Sequence, residues 1–278
     1  MTSTLLVAEI GINHGGDIER ALRLIRMAAD AGADYVKFQK RTPEVSTPKS
    51  QWDIEKQTPW GTVERYIEYR AKAEFWSKEY DQIDRECADF GIGWFASVWD
   101  KESVEFLSAY DIPFIKIPSA LANNTELIEY AADRRGVLVS TGMCEQADVD
   151  KVSELLRHNL GDGLFVCHSQ YPVADERELN LRQIESYKQR YPGLKIGFSC
   201  HSPSPYPAIY ASVLNAEFVE VHITENRAWT WGDNSASLES AGLALVAREI
   251  KRVKNIMGDG VKRLYPGELA ARLKLRGY

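Results

Sequence analysis

Side chains able to do chemistry recur at one place in this sequence, the C-terminal ends of short apolar runs. The first run carries Glu9 and leads to Asn13 and His14, the second carries Lys37 and Gln39, and the third ends near Ser97. The fourth carries Lys116 and Ser119, the fifth Ser140 and Thr141, and the sixth His168 and Ser169, with Tyr171 just beyond. The seventh carries Ser199 and His201; the eighth carries Glu220, His222 and Thr224, with Asp233 in the segment that follows. Lys37 and Lys116, gathered with Ser97, Ser119, Ser140 and Ser199, make a site for phosphate and carboxylate oxygens, because ammonium and hydroxyl groups both donate to oxyanions. A Schiff base on either lysine is the competing chemistry. His201 and His222 stand at similar depth on successive runs. Two neutral imidazoles suit a divalent cation, and carboxylate or water ligands beside them would suit Mn2+ or Mg2+, with Glu220, substrate or water at the open positions. Singly, each residue has a plainer explanation, since buried lysines are usually paired and strand histidines usually hydrogen-bonded in the core. A whole series of run ends carrying such groups points instead to one shared rim.

The runs are Leu5–Gly11, Tyr35–Gln39, Gly93–Val98, Phe114–Ser119, Val137–Gly142, Leu164–Ser169, Ile196–Ser202 and Phe218–Thr224. Several are continuous and β-branched, as expected of parallel strands buried on both faces. Helical patterns lie between them: Ile18–Ala31 (Asp17 as N-cap, Gly32 as stop), Glu74–Phe90, Lys101–Ala109, Thr125–Arg134, Ala147–His158, Leu181–Arg190, Pro207–Leu214 and Ser237–Met257. Strand–helix alternation through eight units predicts an α/β fold, a single (β/α)8 TIM barrel spanning residues 1–278 with no second domain. An open doubly wound sheet is the alternative, because periodicity does not show closure. In a barrel, catalysis sits at the C-terminal ends of the strands, where these polar groups fall. The longest insertion, Lys40–Ala73, follows the second run and so belongs to that same face.

The chain has 278 residues, 44% hydrophobic and 27% charged, enough apolar material for one sizeable core. A net charge of −6 argues against a phosphate-backbone binding surface, but local lysines can still hold a small anion. Cys87, Cys144, Cys167 and Cys200 form no C-x-x-C pair, which argues against a cysteine zinc site. The N-terminus has no basic region before its apolar run, and Glu9 interrupts that run. The expectation is a cytoplasmic protein with reduced thiols, no signal peptide and no membrane span.

At these residues the sequence resembles the sialic acid synthase family. The matching stretches are AEIGINHGG (8–16), VKFQ (36–39), ASVWD (96–100), IKIPS (115–119), STGM (140–143), CHSQYP (167–172), GFSCHS (197–202) and VHITENRAWTWGDNSASLE (221–239). WGDNSASLE looks closest to the branch containing the animal phosphate-ester synthases. The resemblance implies a metal-dependent, C–C bond-forming transferase. It would condense phosphoenolpyruvate with an aldose related to N-acetylmannosamine, with or without a phosphate group, giving a 2-keto-3-deoxy (nonulosonic) sugar acid and phosphate. By the same resemblance His201 and His222 are the metal ligands, Lys37, Ser97, Lys116, Ser119, Ser140 and Ser199 hold phosphoenolpyruvate, and Glu9 moves the proton. Gln39, Tyr171, Asp233 and Glu220 correspond to sugar-contacting positions, and Asn124 to a position without a fixed role. The implied partners are small molecules only, with neither nucleic acid nor membrane, and a homo-oligomer is expected.

The pattern is not matched throughout. Family members usually carry a C-terminal antifreeze-like domain whose arginine reaches the sugar's acyl group, and this sequence does not contain it. The expectation is therefore an acceptor without an N-acyl group. Val166 stands where a His is common, Ser169 where some members have Asn, and Cys200 replaces an Asp or Gly. His14 reads equally as a turn residue or a catalytic one, His168 equally as lining or support, and His158 as a surface residue near a helix end. Trp76, Trp99, Trp229 and Trp231 are candidate sugar-site or subunit-contact residues, and the run from Arg272 to Gly277 reads as a solvated end. Two other functions compete with synthesis: a Schiff-base aldolase on the same barrel, and a catalytically silent sugar-binding barrel.

Overall fold

The computed structural model describes residues 4–156 and 162–277. Its strands in chain order are β1 (Leu5–Gly11), β2 (Tyr35–Lys40), β3 (Glu55–Gln57), β4 (Val63–Arg65), β5 (Gly93–Val98), β6 (Phe114–Ile117), β7 (Gly136–Ser140), β8 (Gly163–Cys167), β9 (Lys195–Cys200) and β10 (Phe218–His222). All but β3 and β4 join in one closed barrel, in the order β1-β2-β5-β6-β7-β8-β9-β10 and back to β1. Every barrel pairing is parallel. The predicted (β/α)8 barrel is therefore the fold, and the open sheet is excluded.

The helices follow local sequence logic. Helix Ile18–Ala31 is capped by Asp17, whose side chain accepts from Arg20 N, and ends at Gly32 in the left-handed conformation (φ 86°) that costs glycine least. Asp100 caps helix Lys101–Leu107 through Ser103 N. Asn124 caps helix Thr125–Ala132 through Leu127 N, which gives this residue a structural role. His158 lies outside the described residues.

The strands stop earlier than the sequence patterns suggested. Those patterns ran to Ser119, Gly142, Ser169, Ser202 and Thr224, whereas the sheet ends at Ile117, Ser140, Cys167, Cys200 and His222. The two extra residues in each case have already left the regular strand and begin the rim loops.

The barrel interior below the rim is filled by aromatic rings. Phe114 meets Phe218 edge-on at 5.5 Å, Phe95 meets Phe114 at 5.9 Å, and Phe165 lies 5.8 Å from Phe218. These form an apolar floor, and Lys116 Nζ sits 4.5 Å above the Phe165 ring.

The excursion after β2 is structured. A short helix (Pro43–Ser46), the antiparallel β3–β4 hairpin and helix Tyr66–Ala73 fold back over the rim side of the barrel. After helix Ser240–Met257 the chain continues through helix Leu269–Arg276, which is exposed along its whole length.

Candidate active site

Parallel register sets the site's layers. Glu9 pairs with His222 on one side and Lys37 on the other, Gln39 with Ser97, Ser97 with Lys116, Glu220 with Ser199, and Ser199 with Cys167. Strands far apart in sequence thus deliver chemical groups to one level of the barrel mouth. A cavity of about 170 Å³ opens there, lined by Glu9, Lys37, Gln39, Ser97, Lys116, Ser119, Ser140, Tyr171, Ser199, His201, Glu220 and His222. Of the residues given metal-binding, proton-transfer, phosphoenolpyruvate-binding or sugar-contacting roles from the sequence, only Asp233 is not part of the cavity wall. It stands just outside, with its Oδ2 3.6 Å from His222 Nδ1.

A buried charge network occupies the bottom. Lys116 Nζ donates to both Glu220 oxygens at 2.7 Å. Lys37 Nζ lies 2.7 Å from Glu9 Oε2 and 3.7 Å from Glu220 Oε2, and it donates to Ser97 Oγ at 2.7 Å. Ser199 Oγ donates to Glu220 Oε1 at 2.8 Å, and Gln39 Nε2 donates to Glu9 Oε1 at 3.2 Å. Glu220 therefore faces the two lysines, with both of its oxygens occupied.

The same network separates the two carboxylates electrostatically. Burial raises the Glu9 pKa, Lys37 lowers it and the neighbouring Glu220 raises it again, leaving it at about 7. Burial acts the same way on Glu220, but Lys116 and Lys37 more than offset it and hold this carboxyl well below its usual range. Burial would lower the Lys37 pKa, yet Glu220 and Glu9 raise it overall; for Lys116 burial prevails and the pKa is lowered. The two carboxyls that share Lys37 are thus pushed in opposite directions, Glu9 up and Glu220 down, a separation that acid–base chemistry can use.

The imidazoles sit above. The His201 and His222 rings are 5.1 Å apart between centroids, and Tyr171 stacks on His201 at 3.8 Å and meets His222 edge-on at 5.5 Å. His201 Nδ1 is 2.7 Å from the His168 carbonyl, so it donates there and leaves Nε2 as the basic nitrogen. Burial holds His222 neutral, with its pKa well below 6.5, and its Nδ1 is buried without a hydrogen-bond partner. An oriented imidazole beside a neutral, partly unsatisfied one fits a divalent cation. Among the described residues no set of three His, Cys, Asp or Glu side chains is placed to bind one. The protein would supply His201 and His222, and the other positions would remain open to small molecules.

Several histidines and tryptophans resolve into support. His14 is buried, stacks on Phe75 at 4.0 Å and accepts from Gly16 N through Nδ1, away from the cavity. His168 orients His201 through its backbone, while its ring pairs with Glu178 at 3.1 Å. Trp99 lines the cavity, but Trp76 is exposed under Lys40, and Trp229 and Trp231 stack on each other beneath Arg20.

Cys167 entered the sequence reading only as one of four cysteines without a C-x-x-C partner and as part of the motif CHSQYP, with no place in the site. Cys200 is buried, and burial pushes its thiol up to about 12. Cys167 lines the cavity 3.9 Å from His201 Nδ1; burial raises its thiol pKa, but His201 and Lys116 bring it down to about 7. Its position at the end of β8, opposite Ser199, was the available signal. Asn13, named from the sequence without a role, takes a structural one. It is buried, accepts from Asp233 N and donates to Ile223 O and Ser237 Oγ, pinning the loop that carries Asp233.

A closed parallel barrel with two buried carboxyls, two buried lysines and an imidazole pair at its C-terminal rim has the make-up of a (β/α)8-barrel enzyme. The chain belongs to the NeuB family, whose model matches residues 24–262. It is 34% identical to the N-acetylneuraminate-9-phosphate synthase of Homo sapiens over 97% of this chain and 76% of that protein. It is 30% identical to the N,N'-diacetyllegionaminic acid synthase of Campylobacter jejuni over 96% of this chain and 81% of that one. The crystal structure of the N-acetylneuraminic acid synthetase of Leptospira borgpetersenii, in complex with citrate, superposes with a TM-score of 0.85 at 28% identity, covering 99% of this chain and 93% of that one. No helix among the described residues is long and apolar enough to cross a membrane.

Proposed function

We propose that the protein condenses phosphoenolpyruvate with an aldose, giving a 2-keto-3-deoxy sugar acid of the nonulosonic type and inorganic phosphate. The supporting observation is the buried pair Lys37 and Lys116 sharing one small cavity with His201 and His222. The names of the relatives, synthases of sialic and legionaminic acids, support the same reaction class.

Lys37, Lys116 and the hydroxyls of Ser97, Ser119, Ser140 and Ser199 hold the phosphate and carboxylate oxygens of phosphoenolpyruvate, displacing part of the lysine–glutamate network. Gln39, Tyr171 and Asp233 orient the aldose so that its carbonyl carbon faces carbon 3 of phosphoenolpyruvate. Fixing the two reactants in this way can supply about 7–11 kcal/mol of the barrier. The C2=C3 electrons form the new C–C bond, and the aldehyde oxygen becomes an alkoxide that takes the proton released when water adds in the next step. Water adds to the electron-poor C2 and gives up a proton to Glu9, which at a pKa of about 7 can accept and return it. The tetrahedral carbon then expels phosphate with C–O cleavage, leaving the keto group. A divalent cation on His201 and His222, Mn2+ or Mg2+, would supply Lewis-acid stabilisation of charge on the aldehyde oxygen. Lys37, with its raised pKa and its place between two carboxylates, is poorly suited to Schiff-base chemistry. A cytoplasmic setting suits four free cysteines.

The test is phosphate release from phosphoenolpyruvate with a panel of aldoses, with Mn2+ added or with EDTA. Activity should require the metal, and His222→Ala should fold normally yet lose more than about 100-fold in turnover. Full activity of His222→Ala in EDTA would refute the metal assignment, and borohydride trapping of pyruvate on a lysine would favour an aldolase.

A further inference from the structure

Strand alternation puts Lys37, Gln39 and Arg41 on one side of β2, with Arg41 one residue past the strand end. Gln39 pairs in register with Ser97 and Lys40 with Val98, so the next step brings Arg41 beside Trp99, just past the end of β5. The Arg41 guanidinium lies 4.0 Å over the Trp99 ring. The backbone on both sides of it is fixed. Glu74, held by Lys40 Nζ at 2.7 Å, accepts from Arg41 N at 3.2 Å, and Asp100 accepts from Thr42 N at 2.6 Å. Arg41 is only 4% exposed; one Nη donates to Gln39 Oε1 at 2.5 Å, while Nε has no hydrogen-bond partner. From its other end the same amide donates, through Nε2, to Glu9 Oε1 at 3.2 Å. Glu9, Gln39 and Trp99 line the cavity, and Arg41 touches it only through them.

A carboxamide accepts through oxygen and donates through nitrogen, and its two ends are nearly the same size. Beside Glu9 alone, Gln39 could turn either end inward: nitrogen toward an ionised carboxylate, oxygen toward a carboxylic acid or a ligand hydroxyl. A guanidinium removes that choice, because it only donates and stays charged at every working pH. Burying one with an Nε left unpaired is costly for packing alone. We propose that Arg41 is a positioning residue that locks the Gln39 amide, oxygen toward Arg41 and nitrogen toward Glu9 and the cavity, so that Gln39 meets the acceptor sugar only as a hydrogen-bond donor. The group it recognises on that sugar is then an oxygen with a free lone pair. The inference rests on the condensation reading and adds to it the polarity of one acceptor contact.

A double-mutant cycle tests the lock: wild type, Arg41→Met, Gln39→Met and the double variant, assayed for phosphate release with phosphoenolpyruvate and either N-acetylmannosamine or mannose. Arg41→Met should raise the KM for the sugar by about tenfold, the scale of one hydrogen bond. In the Gln39→Met background the same change should alter it by less than about twofold, because the residue it acts through is gone. Arg41→Lys, which keeps a charged donor, should recover most of the loss. Side-chain 15N–1H spectra read the lock without turnover. The Gln39 Nε2 protons, assigned by their absence in Gln39→Met, should show a nuclear Overhauser contact to the Glu9 side chain in the wild type and lose it in Arg41→Met. An Arg41→Met effect equally large in both backgrounds overturns the inference, as does a wild-type contact from the Nε2 protons to the Arg41 guanidinium instead of Glu9. That last measurement needs no variant of Arg41 to fold. If neither sugar releases phosphate, the condensation reading fails by itself, and the amide spectra still decide whether Arg41 sets the orientation of Gln39.

Discussion

Replacing Glu220 by Gln tests the central electrostatic claim, that this carboxylate is the resident counter-ion of an oxyanion site. Lys116 reaches both Glu220 oxygens at 2.7 Å, Ser199 donates at 2.8 Å and Lys37 stands at 3.7 Å, all buried. Gln keeps the shape and one acceptor oxygen but removes the charge. Removing one partner of a buried ion pair strands the other and costs about 3–5 kcal/mol. At about 2–4 °C per kcal/mol for a domain of this size, Tm should fall by roughly 6–20 °C. Phosphoenolpyruvate brings oxyanions to the same lysines, so it should recover more of the Tm in Glu220→Gln than it adds to the wild type. Thermal melts by circular dichroism, with and without phosphoenolpyruvate and in EDTA, read both effects. The loss should also shrink as pH rises, because a neutral Lys116, whose pKa burial already lowers, needs no counter-ion. A variant melting within about 2 °C of the wild type, or equal stabilisation of both proteins by phosphoenolpyruvate, would refute the reasoning.

Two further perturbations probe neighbouring parts of the site. With the Glu9 pKa raised from 4.5 to about 7, the folded state keeps a proton that the unfolded state loses in that window. Its contribution to stability is therefore complete below pH 4.5 and is lost as pH rises through about 7. Glu9→Gln should flatten that decline in denaturant midpoints, remove the rise in kcat/KM with pH near 7, and lower turnover by about 10²–10⁴. At Gly142, a Cβ would meet Ser169 Oγ at 2.1 Å and Ser119 Oγ at 2.7 Å, and Gly142 N donates to Ser119 Oγ at 3.1 Å. Gly142→Ala should push Ser119 aside and raise the KM for phosphoenolpyruvate by about tenfold, whereas an unchanged KM would remove Ser119 from that site.

The barrel was legible because parallel strands buried on both faces leave continuous apolar runs that need no knowledge of their neighbours. Closure was not, since it depends on β1 pairing with β10 at the far end of the chain. The strand ends were overread for a physical reason that also locates the site. Ser119, Ser169 and His201 continue the pattern by residue type, but their backbones have left the ladder to face the cavity. Local pattern therefore identified which residues reach the rim, while the partner of each was set by register and remained hidden. Glu220 illustrates this. Its place on the last strand suggested the sugar or the metal, yet its register with Ser199 and its reach to Lys116 put it in the anion network.

The rim loops were the least legible part, because their geometry is determined by contacts between segments with no shared periodicity. Nothing in the sequence places Arg70 near Arg41, Asn13 under Asp233, or Cys167 against His201. The consequence is the same at both depths. At the bottom of the cavity Lys37 and Lys116 are matched by Glu9 and Glu220, so the unliganded floor is balanced and an arriving oxyanion must displace a carboxylate contact. At the rim Arg41 and Arg70 act on Asp233, which stands beside His222 on a loop pinned by Asn13, so a resident carboxylate is within reach of their charge as well. A ligand entering the cavity therefore exchanges one set of charged contacts for another, and the site can discriminate between ligands by geometry more than by net charge.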